Sequence, residues 1–355
     1  MKLFERYIVK TVLASIALVT VALIALNGFI LSVNQLDDLG KGSYGLGSAA
    51  SVVLLSLPKQ VYSFFPVASL LGCLLGLGLL ANNRELLVMR AAGISIARVS
   101  WAVCKAAFIL ILLVTVLSEV VMPKGLAAAR YKKSQAINLE QPLFGARNVW
   151  IRAKHDFLLI GRVLPDNQLE QVLQFHFDAS NHLTLTRRLA KAHWNAGVWQ
   201  ATGVHETHIH LNNTRVVERQ SIIWNVDINP QILQTSQLDP DEMDVASLYR
   251  ILHTHGIEQS ALLRYELVYW QRLIQPFTTV VMMLLAIPFV FGPLRSSTMG
   301  AKLLIGVSVG FGFHLINRFF APLSQVLHWP PLLAALCPTA IFALLSFYMM
   351  RQVYR

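Results

Sequence analysis

The chain has 355 residues, of which 55% are hydrophobic and 14% charged, and a formal net charge of +11. So apolar a composition excludes an ordinary soluble protein, and the length allows several membrane spans plus one folded domain. The excess charge does not indicate nucleic acid. Residues 123–262 hold 14 Lys and Arg against 13 Asp and Glu, leaving 16 against 6 in the apolar remainder, where positive-inside topology places such an excess.

Lys2, Arg6 and Lys10 open the chain, and apolar residues follow to Leu31. The run is too long for a secretory signal and lacks a small-x-small cleavage site, so it reads as an uncleaved anchor with its basic end in the cytoplasm. The first span is expected at about Ile8–Val33, followed by a polar, Gly-rich loop from Asn34 to Ser48 with Asp37, Asp38, Lys41 and Tyr44. The second span, about Ser51–Ala81, contains Pro58 and Pro66, which predict a bend, and Gly72, Gly76 and Gly78, which permit close helix approach.

Asn82 to Gly93 interrupts the apolar runs and reads as a short helix of its own. Asparagines stand where free N–H groups need capping, and Gly93 stands where a left-handed C-cap belongs. Leu86, Met89 and Arg90 share a side at spacings of three and four, a face that predicts partner docking. The third span is expected at about Val99–Val121, ended by Pro123, with Glu119 near its far end.

From about Gln141 to Thr235 the pattern changes to alternation. Segments such as Phe157-Leu158-Leu159-Ile160, Leu173-Gln174-Phe175-His176-Phe177 and Ile222-Ile223-Trp224 are separated by Asn-, Asp- and Gly-containing turns. This predicts an all-β domain of sandwich, jelly-roll or open-barrel type outside the cytoplasm. A helical stretch, about Met243–Tyr265, leads back to the membrane. Further spans are expected at about Leu267–Phe291, Ala301–Phe320 and Leu332–Met350, with a tight turn between Gly292 and Gly300. The fold class is therefore an α-helical polytopic membrane protein, six spans in a three-plus-three arrangement around an inserted β-domain. Its parts are residues 1–122, including the short helix at 82–93, then 123–262, then 263–355.

Little in the sequence points to catalysis. No Gly-x-x-x-x-Gly-Lys-[Ser/Thr] loop occurs, so any ATP chemistry belongs to another chain. The His205-Glu206-Thr207-His208-Ile209-His210 run lacks the His-Glu-x-x-His spacing, and as a strand it puts His205 opposite His208 and His210, so no metal site is assigned. Cys73, Cys104 and Cys337 are odd in number and lie in apolar segments, which argues against a disulfide framework. Arg318 is the most costly polar group in an expected span, disfavoured by about 3 kcal/mol at the bilayer centre, so it either snorkels or meets an anion.

The topology, together with Leu57-Pro58-Lys59 through Phe64-Phe65-Pro66 to Leu70-Leu71-Gly72, Glu85-Leu86 to Ala92-Gly93, and Phe291-Gly292-Pro293-Leu294-Arg295 to Gly300, resembles the lipopolysaccharide-export permeases of Gram-negative bacteria. The Asn34–Tyr44 segment is similar to the G-type subunit. This resemblance implies an inner-membrane ABC transporter in which a G-type and an F-type permease pair above a cytoplasmic ATPase dimer. Lipopolysaccharide would pass through the periplasmic β-domains to a bridge protein, with both termini cytoplasmic. ATP and Mg would belong to the ATPase, leaving this chain a non-catalytic subunit without a cofactor of its own.

Carried over by resemblance, Glu85 would anchor the ATPase, with Leu86, Met89 and Arg90 beside it. The G-type pattern has lysines near the outer end of the first span, where this chain has Leu31, Asp37 and Asp38. Binding of lipid phosphates is therefore expected at Lys41, Arg130, Lys133 and Arg318 instead. A lipid path in the β-domain is expected along strand faces holding Phe175, Phe177 and Trp224. Exposing one C14 chain to water costs on the order of 10 kcal/mol, so such a lipid needs a continuous apolar path. The alternatives are an F-type sister subunit and a membrane receptor with a periplasmic β sensor domain.

Overall fold

The computed structural model describes residues 3–137, 149–153, 156–164, 168–178, 182–195, 198–209, 213–226, 239–253, 259–292, 298–327 and 329–354. They fall into two compact units: one of residues 1–137, 241–249 and 263–355, the other of residues 138–240 and 250–262. Among the described residues, six helices are long and apolar enough to cross a membrane.

In the helical unit, α1 is Leu3–Leu36, α2 Leu46–Asn82, α3 Glu85–Ala91, α4 Ile96–Val116 and α5 Met122–Ile137. Pro123 does not end the third span. A π-turn at Leu117–Val121 joins α4 to α5 in one continuous helical path, so the boundary expected between 122 and 123 falls inside it. The reason is local: proline removes a donor and crowds the carbonyl four residues back, and here that carbonyl belongs to Glu119, inside the π-turn where the ordinary ladder is already broken.

The return path is a 3₁₀ turn at Pro240–Glu242, α6 at Val245–Leu252, α7 at Gln259–Phe291, α8 at Met299–Leu327 and α9 at Pro331–Tyr354. Pro276 and Pro288 lie within α7, and Pro322, just beyond the span expected at Ala301–Phe320, lies within α8. Residues 293–297 of the turn expected between Gly292 and Gly300, and His210, lie outside the described residues.

α2 is the helix the others pack on. A Cβ at Gly72 would meet the Ile16 backbone of α1, and one at Gly76 would touch Val12 and Ser15. These glycines four apart form the small-residue seam that lets two helix backbones approach without a hydrophobic drive from water. Gly125 of α5 abuts the Leu55 carbonyl, while Gly306 and Gly310 of α8 face Leu74 and Val67. Leu70, Leu74 and Leu77 of α2, Ile8, Val12 and Ile16 of α1, and Met282, Met283 and Leu285 of α7 share one buried cluster.

The second unit is one antiparallel sheet in sequence order: β1 Val149–Ala153, β2 Asp156–Leu164, β3 Gln168–Phe177, β4 Leu183–Asn195, β5 Val198–Ile209 and β6 Thr214–Trp224. Among the three all-β forms expected, the described strands make an open, curled meander with no Greek-key crossing. In a flat sheet β3 and β6 would lie three strand spacings apart, about 14 Å. Yet Trp224 Nε1 of β6 donates to Gln174 Oε1 of β3 at 2.9 Å, so the sheet bends back on itself.

The bend has a visible origin in the strands. Buried positions step by three instead of two, from Leu169 to Val172, Leu189 to Ala192 and Ala201 to Val204. Gln171 and Gly203, inside two of these steps, have positive φ of 57° and 64°. Each strand there changes which alternate residues face inward, and both halves feed one core of Leu158, Ile160, Val172, Leu189, Trp199 and Trp224.

Candidate functional site

Three groups of residues carry the sequence expectations, and the structure treats them differently. The first is α3. Arg84 takes the N-cap position with φ 61° and no side-chain cap, so the asparagines do not cap this helix; Asn83 Nδ2 instead donates to Glu85 Oε1 at 3.3 Å. Gly93 follows with φ 84°, as expected of a left-handed C-terminal glycine.

Leu86 does not share an exposed face with Arg90. It is 3% exposed and belongs to the core of the helical unit, with Met89 packed partly against it. The outer surface of α3 is formed by Leu87, Val88 and Arg90, the two apolar residues being 52% and 67% exposed. Seven residues make only two turns, and the buried stripe of so short a helix is spent on holding it to the bundle.

The second group is cationic. Lys41 Nζ lies 2.5 Å from Asp38 Oδ1, and Lys133 Nζ lies 2.7 Å from Asp38 Oδ2 and 3.0 Å from Gln35 Oε1. Tyr44 hydroxyl donates to the same Gln35 oxygen at 2.9 Å, and the Ser43 hydroxyl donates to Ala136 O at 3.1 Å, which fastens the loop after α1 to the end of α5. The hydrogen bonds from Lys133 and then Lys41 hold the Asp38 carboxyl down at about 2. Arg130 pairs with Glu242, which Lys59 also approaches at 3.3 Å. Arg318 is exposed on α8 and makes no ion pair among the described residues. The structure thus brings Lys41 and Lys133 to one carboxylate, gives Arg130 another, and leaves Arg318 apart from both.

Sequence reasoning did not single out the polar node beside Arg130. Glu119 Oε1 in the π-turn accepts from Arg272 Nη1 at 3.2 Å, and its Oε2 accepts the Val245 N–H at 2.8 Å. Arg272, with a side chain 3% exposed, also donates to Asp241 O at 3.2 Å and lies over the Tyr62 ring at 5.5 Å. The available signal was one acid and one base inside separate apolar segments, which seek each other because neither tolerates hydrocarbon alone.

The third group is in the β-unit. Trp224 is 1% exposed and faces the core, whereas Phe175 and Phe177 are half-buried on the other side of β3 from Val172 and Gln174. Phe177 packs edge-on to Phe157, ring centroids 5.4 Å apart. The three expected path residues therefore do not share a face.

The cored face also carries a polar row. Asp156 accepts from Gln174 Nε2 at 2.9 Å, Gln174 accepts from Arg187 at 3.4 Å, and Arg187 Nε donates to Glu206 Oε1 at 2.6 Å. Burial works to raise the Glu206 carboxyl, but the Arg187 hydrogen bond and the Arg187 and Arg219 charges outweigh it and the net shift is downward. His205 and His208 of the histidine run pair with Glu218 at 3.1 Å and Glu206 at 3.6 Å. No cluster of three or more His, Cys, Asp or Glu suited to a metal occurs among the described residues.

Comparison with known proteins fits this architecture. The model of the lipopolysaccharide export system permease LptF/LptG family matches residues 6–352. The chain is similar to the lipopolysaccharide export system permease protein LptG of Escherichia coli strain K12, 36% identical over 355 residues and 98% of each chain. It is also similar to the protein of that name from Haemophilus influenzae, 30% identical over 350 residues and again 98% of each chain. These relatives favour the G-type reading over an F-type sister or a sensor. Six spans, an inserted antiparallel β-domain and a match running nearly end to end place this chain in the LptF/LptG family of lipopolysaccharide export permeases, as an LptG-type member.

Proposed function

We propose that this chain is the G-type half of an inner-membrane ABC exporter that extracts lipopolysaccharide from the bilayer and passes it through a periplasmic β-domain to a bridge protein. Both termini are cytoplasmic in this reading. It pairs with an F-type permease and contributes no catalytic residue; ATP and Mg act in a cytoplasmic ATPase dimer. Lys41, Arg130, Lys133 and Arg318 receive lipid phosphates, the first three by exchange with Asp38 and Glu242. In the β-domain, Phe175 and Phe177 offer apolar contact for acyl chains, and Trp224 supports the wall from inside.

The observation that carries the ATPase docking is the outer face of α3, where Leu87 and Val88 stand exposed beside Glu85 and Arg90. Leucine and valine side chains fully buried by a partner are worth about 1.5–3 kcal/mol each. The test is the native mass of the detergent-purified complex. Wild type is expected to carry a second permease and two ATPase copies, and Glu85→Lys or Leu87→Arg to lose the ATPase while keeping the permease pair. Wild type purifying without ATPase or glycolipid defeats the reading.

A further inference from the structure

Glu242 closes the turn at Pro240–Glu242, and its carboxylate lies between two cations from different helices. One oxygen is 3.3 Å from Lys59 Nζ of α2, and the other meets an Nη of Arg130 on α5. Arg130 Nε, meanwhile, is buried with no hydrogen-bond partner among the described residues. A guanidinium offers Nε and one Nη as a parallel pair of donors, which two oxygens of a single anion fill together. Glu242 fills half of that fork, because its second oxygen faces Lys59. A buried donor left unmet is costly, so the arrangement favours an anion with one more oxygen. A phosphate can span Nε, Nη and Lys59 at once.

We infer that Glu242 is an internal placeholder in a phosphate site, displaced when a phosphorylated lipid headgroup binds Arg130, and that its departure loosens residues 241–249. The inference rests on the assignment of Arg130 to lipopolysaccharide. It adds what that assignment lacks, a route from binding to motion. Ties from the segment to the spans include Asp241 O to Arg272, Glu242 to Lys59 and Arg130, the Val245 N–H to Glu119, and the Tyr249 ring beside that of Tyr269. Those through Asp241 and Val245 both depend on the Glu119–Arg272 pair. Glu242 is the tie that a ligand can compete for, and the segment runs at both ends into residues of the β-unit.

The experiment is hydrogen exchange on the full chain in nanodiscs, with the subunits that purify with it, read at the Val245 and Leu248 amides. Both are hydrogen-bonded in the structure. Lipopolysaccharide is expected to speed their exchange several-fold, and lipopolysaccharide stripped of its lipid A phosphates to leave it unchanged. Millimolar inorganic phosphate is expected to do nothing; a rise with it assigns the site to the free anion and overturns the lipid assignment. Glu242→Gln is expected to show fast exchange without lipid and to bind lipopolysaccharide several-fold more tightly, since its competitor is gone. Wild type needs no folding control, and it gives the decisive result. Lipopolysaccharide bound with unchanged exchange at 241–249 overturns the placeholder alone. Equal binding by Arg130→Gln and wild type overturns the Arg130 assignment beneath it.

Discussion

Gly72→Ala should separate the first two spans. A Cβ there would lie 2.4 Å from Ile16 Cα, 2.8 Å from Ile16 N and 2.6 Å from Ile16 Cγ1. Carbon atoms in contact sit about 3.5–4.0 Å apart, so α1 and α2 must part by about 1 Å. Two of the three obstructing atoms are backbone, and no rotamer of Ile16 relieves them. Overpacking of this kind costs about 1–3 kcal/mol. Gly306→Ala is the matched control, because its new methyl would lie 2.5 Å from Leu74 Cδ1 and 3.0 Å from Leu71 Cδ2, both flexible side-chain ends. The assay is the melting midpoint of the purified full chain. Gly72→Ala is expected to lower it by roughly 2 °C per kcal/mol, and Gly306→Ala to lower it less. Adding Ile16→Ala to Gly72→Ala should not restore stability. If Gly72→Ala melts with wild type, or if Ile16→Ala rescues it, the backbone contact is not what limits the approach.

Other substitutions separate roles that lie close together. Leu86→Ala should cost about 2–5 kcal/mol of stability by opening a cavity under α3, whereas Leu87→Ala should leave the melting midpoint unchanged and weaken ATPase retention in native mass measurements. Glu119→Gln strands the buried Arg272 charge and should destabilise by about 3 kcal/mol, with Glu119→Gln/Arg272→Met recovering part of that in thermal melts. Glu206 has its folded carboxyl pKa lowered, so the stability it gives the β-unit is complete above the unfolded value of about 4.3 and lost as pH falls through the folded one. Far-ultraviolet melts should be flat from about pH 7 to pH 5 and fall below about pH 4, with Glu206→Gln already low at neutral pH and less pH-dependent.

The spans were legible because a long apolar run bounded by basic residues suits little besides a bilayer, and the β-domain because its alternation is bounded by turn residues. What the sequence concealed shares one cause: a local rule overridden by something distant. Pro123 stops an ordinary helix but not one whose ladder has already slipped at Glu119. Leu86 and Met89 have the spacing of a docking stripe, and the bundle had already claimed them. Phe175, Phe177 and Trp224 look equivalent under alternation, yet the strands change inward face at Gln171 and Gly203, so parity counted from one end fails at the other. Cations at Lys41, Arg130 and Lys133 were visible one by one, but not that Asp38 and Glu242 would answer them. Such pairing depends on tertiary proximity, which no local pattern encodes.

The glycine contacts along α2 bear on how such a permease can move. α1, α5 and α8 each meet α2 where one backbone or the last carbons of a side chain press on a missing Cβ. Gears meshed that closely cannot slip by a fraction of a tooth: a shear of α1 along α2 would drive Val12 or Ile16 into the next residue of the α2 ridge. Packed helices therefore tend to travel together or jump between discrete seats. α1, α2 and α5, which meet through backbone atoms, are expected to move as one casting, with α8 resting on it through softer side-chain ends. Whatever volume the export stroke opens must come from the casting turning against its neighbours, along the bare rows of α1 at Leu18, Val21 and Phe29 and of α8 at Leu304, Phe311 and Leu315.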